Sequence, residues 1–348
     1  MHGEYKVPGG KLVVIDLEVE DGRLADVRLS GDFFLEPDEA LGRITGALVG
    51  MPADASVASY AGAVESALDG AAMIGFDPRA VGFAVTRALG RSTSWHDHAF
   101  ELVDAGPLHP ADQMALDEVL ATQVAQGVRP PSLRFWEWAS NAVIIGSFQS
   151  LSNEVDLDAA ARHDVTVVRR MSGGGAMFVE PGNTITYSLY VPASLVEGLS
   201  FAESYAFLDA WVLRALKGLG IDASYVPLND IATPHGKIGG AAQKRLAGGA
   251  VLHHVTMSYD MDAAKMLDIL RIGREKLSDK GTVSAAKRVD PLKSQTGMSR
   301  EKIVEAMADH FAESYGLTRV GVDQATREAS EALARSKYAT PEWTARVP

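Results

Sequence analysis

The sequence predicts an α+β protein built from two domains. Strand-like runs and helical patterns are mixed along the chain without the strict strand–helix alternation of a doubly wound sheet. Two alternating runs around an Asp-Gly pair near the N-terminus indicate an antiparallel hairpin. The 348 residues correspond to roughly two domains at ~150 residues per domain. We therefore expect a small α+β domain followed by a larger domain with a mixed sheet.

The first domain is predicted over residues 1–90, and the polar stretch 91–100 is interpreted as a linker. The alternating runs within 11–34 form its hairpin, because Asp21-Gly22 suits the two positive φ angles of a type I′ turn. Helical patterns follow at 37–49, 57–69 and 78–89. The first and the third of these open with a proline at a first-turn position, Pro37 and Pro78.

The second domain is predicted over residues 101–320, and 321–348 form a C-terminal helix and tail. Helical and strand-like patterns are distinguished by their hydrophobic periodicity. Strands are expected at 132–138, 141–147, 165–170, 184–192, 221–232 and 248–259, and helices at 111–125, 155–163, 201–217, 262–270, 299–315 and 322–336.

Charge and composition exclude several classes of protein. The net charge of −12 argues against bulk binding to nucleic acid or to an anionic membrane, since both need a basic surface. The chain contains no cysteine, which excludes disulfides, thiolate nucleophiles and thioester intermediates on the protein. Charged residues near the N-terminus and the lack of a run of ~18 apolar residues argue against a signal peptide or a membrane span. We expect a cytoplasmic monomer.

A glycine-rich loop between two predicted strands is the strongest local signal. It runs from Arg170 through Ser172 and three consecutive glycines, Gly173 to Gly175, to Ala176. Consecutive glycines allow a ligand to approach the backbone closely, and an arginine beside them offers a forked cation to an anion. A bulged turn with a surface arginine explains the same residues equally well. Neither the dinucleotide fingerprint nor the P-loop pattern is present.

A second glycine-rich segment places Lys237 after the pair Asn229-Asp230. A lysine in such a bend can meet a phosphate or a carboxylate without crowding, and Asp230 is the candidate Mg²⁺ ligand. Taken alone, these residues are also compatible with an exposed lysine on a hairpin turn and an ordinary strand end.

Three further charged features favour ordinary structural roles. The pairs His96/His98 and His253/His254 lack further ligands nearby, and neighbouring side chains on a strand point to opposite faces. Residues 271–294 carry seven basic and three acidic side chains. This positive charge could bind an acidic protein partner or the phosphates of a nucleotide, and it is also typical of a solvated loop.

The order of these motifs resembles the lipoate–protein ligase A family over about 97–345. The resemblance rests on many separated motifs in the family's order. They are Met114 to Glu118, Phe135 to Trp138, Val168 to Ala176, Pro181-Gly182-Asn183, Thr186 to Ser188, Asn229-Asp230, Lys237 to Ala242, His254 with Thr256, Lys276-Leu277, Lys280-Gly281 with Ser284, and Tyr338 to Trp343.

The resemblance implies a biotin/lipoate ligase-like catalytic domain with a mixed sheet. Residues 3–11 and the hairpin after them are similar to the family's accessory domain, here placed before the catalytic domain. The chain departs from the family pattern at Val179-Glu180, often His-Asp, and at Val255, often Gly. Both departures concern the preferred acyl chain more than the type of reaction.

The implied activity is ATP-dependent ligation of lipoate or octanoate, through an acyl-AMP, to a lysine of a lipoyl carrier. Mg²⁺ is the implied cofactor, and the carrier is an E2 lipoyl domain, a glycine-cleavage H-like protein or a specialised lipoate-binding protein. Lys237 is the implied catalytic residue. The resemblance also implies that a larger set of residues binds the substrate and the adenylate. They are Arg170, Ser172, Gly173, Gly174, Gly175, Ala176, Gly182, Asn183, Asn229, Asp230, Gly240, Ala242, His254 and Thr256.

One alternative activity is excluded by the sequence, and three others remain open. A related group transfers octanoyl from acyl carrier protein through a cysteine thioester, and the lack of cysteine closes that route. An ATP-free transferase that needs no cysteine and a non-catalytic carrier-binding protein are both compatible with the sequence. Biotin–protein ligase shares the broader fold but has a different glycine-loop pattern.

Overall fold

The computed structural model describes residues 1–271 and 289–348, which group into two compact units. Unit 1 contains Met1–Asp97 and Ser194–Ser200, and unit 2 contains His98–Ala193 and Phe201–Pro348. The expected α+β class with a large mixed sheet and a small N-terminal sheet is confirmed. The predicted linker 91–100 is divided between the units, and the predicted tail 321–348 groups with unit 2.

Unit 1 contains the predicted hairpin. Its two strands pair antiparallel, and the turn residues Asp21 and Gly22 have φ angles of 49° and 75°, as a type I′ turn requires. The strands of the unit are β1 (His2–Lys6), β2 (Leu12–Glu20), β3 (Arg23–Gly31), β4 (Phe34–Glu36) and β5 (Ala72–Ile74), and its helices are α1 (Ala40–Leu48), α2 (Val57–Ala67) and α3 (Pro78–Ala88).

The two predicted helix starts at prolines have different outcomes. Pro78 occupies the first turn of α3, and the side chain of Asp77 caps that helix by accepting from the N–H of Ala80. The prediction for Pro37 was wrong: this residue directly follows β4, and α1 begins later, with Glu39 as its N-cap.

Strand β1 packs unusually closely against helix α3. A Cβ atom at Gly3 would lie 2.2 Å from the backbone N of Ala88 and 2.3 Å from the carbonyl O of Ala84. The contact brings β1 over the core of the unit, where Val13 and Ile15 of β2 are fully buried. A residue without a side chain is therefore required at position 3.

Unit 2 is built on a long mixed sheet and a short three-stranded sheet. The long sheet has the strand order β13-β14-β15-β16-β12-β8-β6-β17, with β7 beside β8, and the short one has the order β10-β9-β11. The strands are β6 (Glu101–Asp104), β7 (Pro107–Leu108), β8 (Ser132–Trp138), β9 (Ala142–Ile145), β10 (Thr166–Arg169), β11 (Met177–Val179), β12 (Thr184–Pro192), β13 (Ser224–Val226), β14 (Asp230–Thr233), β15 (Gly236–Leu246), β16 (Ala250–Ser258) and β17 (Thr318–Gly321).

The helices of unit 2 cover the long sheet and connect its strands. They are α4 (Pro110–Ala125), α5 (Leu151–Glu154), α6 (Leu157–Arg162), α7 (Phe201–Gly218), α8 (Ala263–Ile269), α9 (Leu292–Thr296), α10 (Arg300–Tyr315), α11 (Gln324–Leu333) and α12 (Pro341–Thr344). Within the described residues, none of these helices is long and apolar enough to cross a membrane.

Two predicted elements of unit 2 are interrupted. The strand expected at 221–232 consists of the two strands β13 and β14, separated by the turn that contains Pro227. The helix expected at 322–336 is α11 followed by a π-helical turn over Ala334–Tyr338. The glycine-rich loop lies between the two sheets of unit 2. It joins β10 to β11 of the short sheet and faces β15 and β16 of the long sheet.

We expect Gly3→Ala to destabilise unit 1 by about 2 kcal/mol, because its new methyl group overpacks against the α3 backbone. The measurement is thermal or urea unfolding of the full chain. Gly62→Ala in α2 is the matched control, since a Cβ there meets nothing within 4 Å. The control should raise stability by about 0.5–1 kcal/mol through helix propensity. Equal stability of the two variants would contradict the close approach of β1 to α3.

Candidate functional site

A cavity of about 440 Å³ lies between the glycine-rich loop and strands β15 and β16. Its wall combines cationic side chains, backbone of glycine and alanine residues, and an apolar end. The described lining residues that were predicted for the site are Arg170, Gly175, Ala176, Asn229, Lys237, Gly240, Ala242, His254 and Thr256.

The guanidinium of Arg170 holds the glycine-rich loop. Its Nη2 donates to the carbonyl oxygens of Gly173 at 2.7 Å and Gly175 at 2.9 Å, and its Nε donates to Ser172 Oγ at 3.0 Å. Gly174 has a φ of 96°, a left-handed conformation that lets the loop turn around the guanidinium. Arg170 therefore shapes the loop as well as facing the cavity.

Arg170 is a buried cation without a carboxylate partner among the described residues. It is only 4% exposed, and its hydrogen bonds go to carbonyl and hydroxyl oxygens. Burial lowers its pKa to about 10, which leaves it charged at neutral pH. A buried positive charge balanced only by dipoles attracts an anion into the adjoining cavity.

Lys237 brings a second positive charge to the cavity wall. It lies on β15, its side chain is about half exposed, and its Nζ donates to Asp230 Oδ1 at 2.7 Å. Asn229 fixes the neighbouring backbone through Nδ2, which donates to the carbonyl oxygen of Ala241 at 2.6 Å. Lys237 is thus held at the cavity wall by one carboxylate, with half of its side chain exposed.

His254 forms the floor of the site between two hydrogen-bond partners. Its Nδ1 lies 2.9 Å from Asp117 Oδ2, and its Nε2 lies 2.7 Å from Ser172 Oγ. All three residues are less than 7% exposed. The network continues to Arg170, because Ser172 Oγ also accepts from Arg170 Nε.

Asp117 on α4 is an ionised, fully engaged carboxylate. Burial favours its neutral form, but the hydrogen bonds and charges of His254 and Arg134 outweigh burial and hold the pKa of Asp117 below its usual value. Burial lowers the pKa of His254 below its usual value in spite of Asp117. The pair is therefore a carboxylate and a neutral imidazole at neutral pH.

The apolar end of the cavity was not anticipated from the sequence. Three methionines, an aromatic ring and a leucine meet there because α8 and its flanks fold back over β11. Such a surface suits a flexible alkyl chain, since methionine adapts its shape to its neighbour. The residues are Met177, Phe178, Met261, Met266 and Leu270.

Several predicted site residues lie behind the wall. Asp230 contacts the lining residue Lys237, and Ser172 contacts the lining residues Arg170 and His254. Gly173 and Gly174 are likewise not among the described lining residues. Gly182 and Asn183 are not part of the cavity wall: Asn183 Oδ1 accepts from the N–H of Glu180 at 2.7 Å and closes the turn before β12. The motif residues Lys276, Leu277, Lys280, Gly281 and Ser284, with most of the basic segment 271–294, lie outside the described residues.

The histidine pairs do not form a metal site in the described part of the chain, where no group of three metal-ligating side chains occurs. His253 and His254 point to opposite faces of β16, as expected for neighbours on a strand. His253 Nε2 lies 2.6 Å from Asp209 Oδ1 on α7, so each histidine has its own buried aspartate.

The candidate Mg²⁺ ligand Asp230 is a single carboxylate that pairs with Lys237. Mg²⁺ is commonly bound by one or two carboxylates together with substrate phosphates and water. The donor set therefore fits an ion that arrives with a nucleotide and whose charge helps to hold the phosphates.

Residues 109–312 match the family model described as the lipoyl protein ligase A/B catalytic domain. Among curated proteins, octanoyltransferase LipM of Exiguobacterium sp. is 30% identical over 72% of this chain and 98% of its own length. A protein of Mycoplasma pneumoniae named "Probable lipoate-protein ligase A" is 28% identical over 67% of this chain and 68% of its own length.

A solved structure shares this fold. It is that of a bi-partite lipoate protein ligase, with its E2 lipoyl domain, from Thermoplasma acidophilum. The TM-score is 0.63 at 26% sequence identity, and the match covers 72% of this chain and 98% of that one. The part of this chain that the family model matches begins at residue 109, after the first segment of unit 1, Met1–Asp97.

We expect Arg170→Lys to weaken binding of a carboxylate such as octanoate about tenfold, because a lysine cannot replace the forked contacts that hold the loop and face the cavity. Isothermal titration calorimetry measures this affinity. Arg169→Lys is the matched control: Arg169 is equally buried and also donates to backbone carbonyls, but it does not line the cavity. An equal loss of affinity in both variants would assign the effect to general destabilisation.

Proposed function

This chain belongs to the lipoyl protein ligase A/B catalytic-domain family, and from that premise we propose that it attaches lipoate or octanoate to a carrier protein in an ATP-dependent reaction. The family's chemistry is the modification of proteins with lipoyl or octanoyl groups. The observation that carries the ATP-dependent proposal is a cavity with two cations, Arg170 and Lys237, in a chain that has no cysteine.

The first half-reaction converts a poor electrophile into a good one. A free carboxylate does not acylate an amine, so its oxygen attacks the α-phosphate of ATP, forming acyl-AMP and releasing pyrophosphate. Negative charge concentrates between the two reacting groups. Lys237 at the mouth of the cavity and Arg170 in its wall supply the opposing charge. Asn229 holds the backbone that positions this end. Once Lys237 turns to a ligand anion, Asp230 would hold Mg²⁺, which would supply charge opposite the phosphates.

The acyl chain occupies the apolar end. Met177, Met261 and Met266 form an adaptable wall for either an eight-carbon chain or the bulkier dithiolane of lipoate. The carboxyl end then lies towards the cations on the other side of the cavity. Val179 and Glu180 lie off the cavity wall, and Glu180 pairs with Lys265 of α8. Glu180 therefore acts on the acyl end through the position of that helix.

The second half-reaction transfers the acyl group to a lysine of the carrier. The solved ligase from Thermoplasma acidophilum was described together with an E2 lipoyl domain, which supports a carrier of that kind. The carrier's amine attacks the carbonyl carbon of acyl-AMP, and AMP leaves. The positive charge of Lys237 disfavours protonation of an amine that approaches it.

The second candidate function is octanoyl transfer without ATP. The observation in its favour is similarity to octanoyltransferase LipM over nearly the full length of that protein. A transferase must hold or receive the acyl group from an activated donor, and the chain offers no thiolate for a thioester. This difference in chemistry favours adenylation, and the requirement for ATP separates the two candidates.

The first experiment is intact-mass measurement of an E2 lipoyl domain after incubation with the full chain. Parallel reactions contain lipoate or octanoate with and without Mg²⁺-ATP, and octanoyl-acyl carrier protein without ATP. We expect a mass gain from the free acids that depends on ATP. A gain from octanoyl-acyl carrier protein alone, with none from the free acids, would establish the transferase instead.

We expect Lys237→Ala to abolish acyl-AMP formation, measured as pyrophosphate release, without loss of folding, because its side chain is half exposed. Lys244→Ala is the matched control, an exposed lysine of the same strand that does not line the cavity. Normal pyrophosphate release by Lys237→Ala would remove this residue from the activation step.

A further inference from the structure

Strand β16 carries two adjacent histidines in closely similar surroundings. Each is buried, and each has one ring nitrogen within hydrogen-bond distance of a buried aspartate, His253 with Asp209 and His254 with Asp117. Only His254 also lines the cavity. The two faces of the strand thus provide a natural comparison between a histidine inside the site and one outside it.

The hydrogen bonds define which nitrogen of His254 carries the proton. Asp117 is ionised and can only accept, so Nδ1 of His254 is the protonated nitrogen. The lone pair of Nε2 is then directed at the Ser172 hydroxyl, 2.7 Å away. A hydroxyl is a rotor and can turn to another acceptor, which releases this lone pair to a group in the cavity.

The transfer step requires a proton acceptor. An attacking lysine amine becomes positively charged as its bond to carbon forms, and it must lose a proton before the amide is complete. The described residues that line the cavity include no carboxylate, and their charged side chains are the cations Arg170 and Lys237. Among those lining residues, His254 is the neutral base.

We propose that His254 Nε2 takes the proton from the carrier lysine during acyl transfer, with Asp117 as the positioning residue that fixes the imidazole. This inference rests on the proposed function and concerns its second half-reaction. A bond forms between the lysine nitrogen and the acyl carbon, the bond from that carbon to the AMP oxygen breaks, and AMP leaves as an anion. The nitrogen's proton moves to Nε2 and from there to solvent.

Charges around His254 keep it neutral before the reaction. Arg170 in the loop and His253 beside it oppose a positive imidazole, and Lys237 lines the same cavity. Asp117 favours the positive form and is itself held ionised by Arg134 of β8 and Tyr190 of β12. Burial and the surrounding cations lower the pKa of His254, so Nε2 has a free lone pair at neutral pH.

The test supplies chemically made octanoyl-AMP to the full chain and measures single-turnover transfer to an E2 lipoyl domain. We expect His254→Gln to slow this transfer about 100-fold at pH 7, the range of general base catalysis. The deficit should narrow as the pH rises, because solvent hydroxide then removes the proton. His253→Gln is the control, since it disturbs an equivalent buried pair that does not line the cavity.

Hydroxylamine in place of the carrier separates catalysis from structural damage. Its adduct gives up a proton to water, so hydroxamate formation from octanoyl-AMP should proceed at the wild-type rate in His254→Gln. A structural defect would slow both acceptors equally at every pH and overturn the proposal, as would unimpaired transfer to the carrier. An octanoyl group recovered on Ser172 would also overturn it, because His254 would then serve a serine nucleophile.

Failure of the proposed function has a different signature. If the wild-type chain makes no octanoyl-AMP from octanoate and ATP but transfers octanoyl from supplied octanoyl-AMP, the activation step fails and the role of His254 is still measured. If wild-type transfer proceeds but His254→Gln matches it at every pH, the inference about His254 fails while the proposed function stands.

Discussion

The carboxylate of Asp117 is the interaction on which the site depends. It is 3% exposed and accepts hydrogen bonds from Arg134, Ser188, Tyr190 and His254. These donors come from strands β8, β12 and β16, whereas Asp117 comes from helix α4. A buried charge without partners costs several kcal/mol, so the helix and the three strands are held in one relative position by the need to satisfy it. The glycine-rich loop is tied to the same point through His254 and Ser172.

Two consecutive arginines, Arg169 and Arg170, form hydrogen bonds on opposite sides of the end of β10. Neighbouring residues at the end of a strand point to opposite faces, so Arg169 and Arg170 serve different parts of the chain. Arg169 donates to the carbonyl oxygens of Gly146 and Gln149 and to that of Thr344 near the C-terminus. Arg170 donates to the loop that borders the cavity. The C-terminal residues thereby support the strand end from which the glycine-rich loop departs, and residues 321–348 group with unit 2.

Neither guanidinium has an acidic partner among the described residues, and this has different consequences on the two faces. The carbonyl dipoles around Arg169 fill its donor positions away from the cavity. Those around Arg170 stabilise its charge, but Arg170 also lines the cavity, where under the proposed function a carboxylate or phosphate would balance the charge. A carboxylate of the protein at this position would neutralise Arg170 and compete with the substrate. Because carbonyl and hydroxyl oxygens alone hold the Arg170 guanidinium among the described residues, it is buried and still able to pair with a ligand anion.

Local patterns in the sequence predicted many elements but not β15: Lys237 lies on this strand rather than in the expected glycine-rich bend. Strands β8 and β12 have the bounds that their alternation and apolar content indicate, and the Asp21-Gly22 turn has the expected φ angles. Proline is compatible with a first helical turn but does not require one, and Pro37 lies outside the helix that it was expected to open.

In the candidate site too, residue types could be predicted from the sequence, whereas contacts between distant residues could not. Glycines and cations are visible along the chain, so the loop at 170–176 and Lys237 could be selected from the sequence. The direction of the Arg170 guanidinium could not, because the carbonyls that hold it exist only once the loop has folded. Asp117 carried no local signal of burial, because Glu118 directly follows it in the same helix. Its partner His254 is 137 residues away, and no local pattern connects them.

Under the proposed function, one cavity would serve two steps with opposite electrostatic needs. Activation brings two anions together and is favoured by positive charge, whereas transfer releases a proton and is favoured by a neutral base. Cations and base in direct contact would weaken each other, since a nearby positive charge lowers the basicity of an imidazole. The chain keeps Arg170 and His254 out of direct contact by placing the Ser172 hydroxyl between them, and Asp117 offsets part of the surrounding positive charge. In the proposed transfer step, Asp117 is thus the group that lets a base persist in a positively charged cavity.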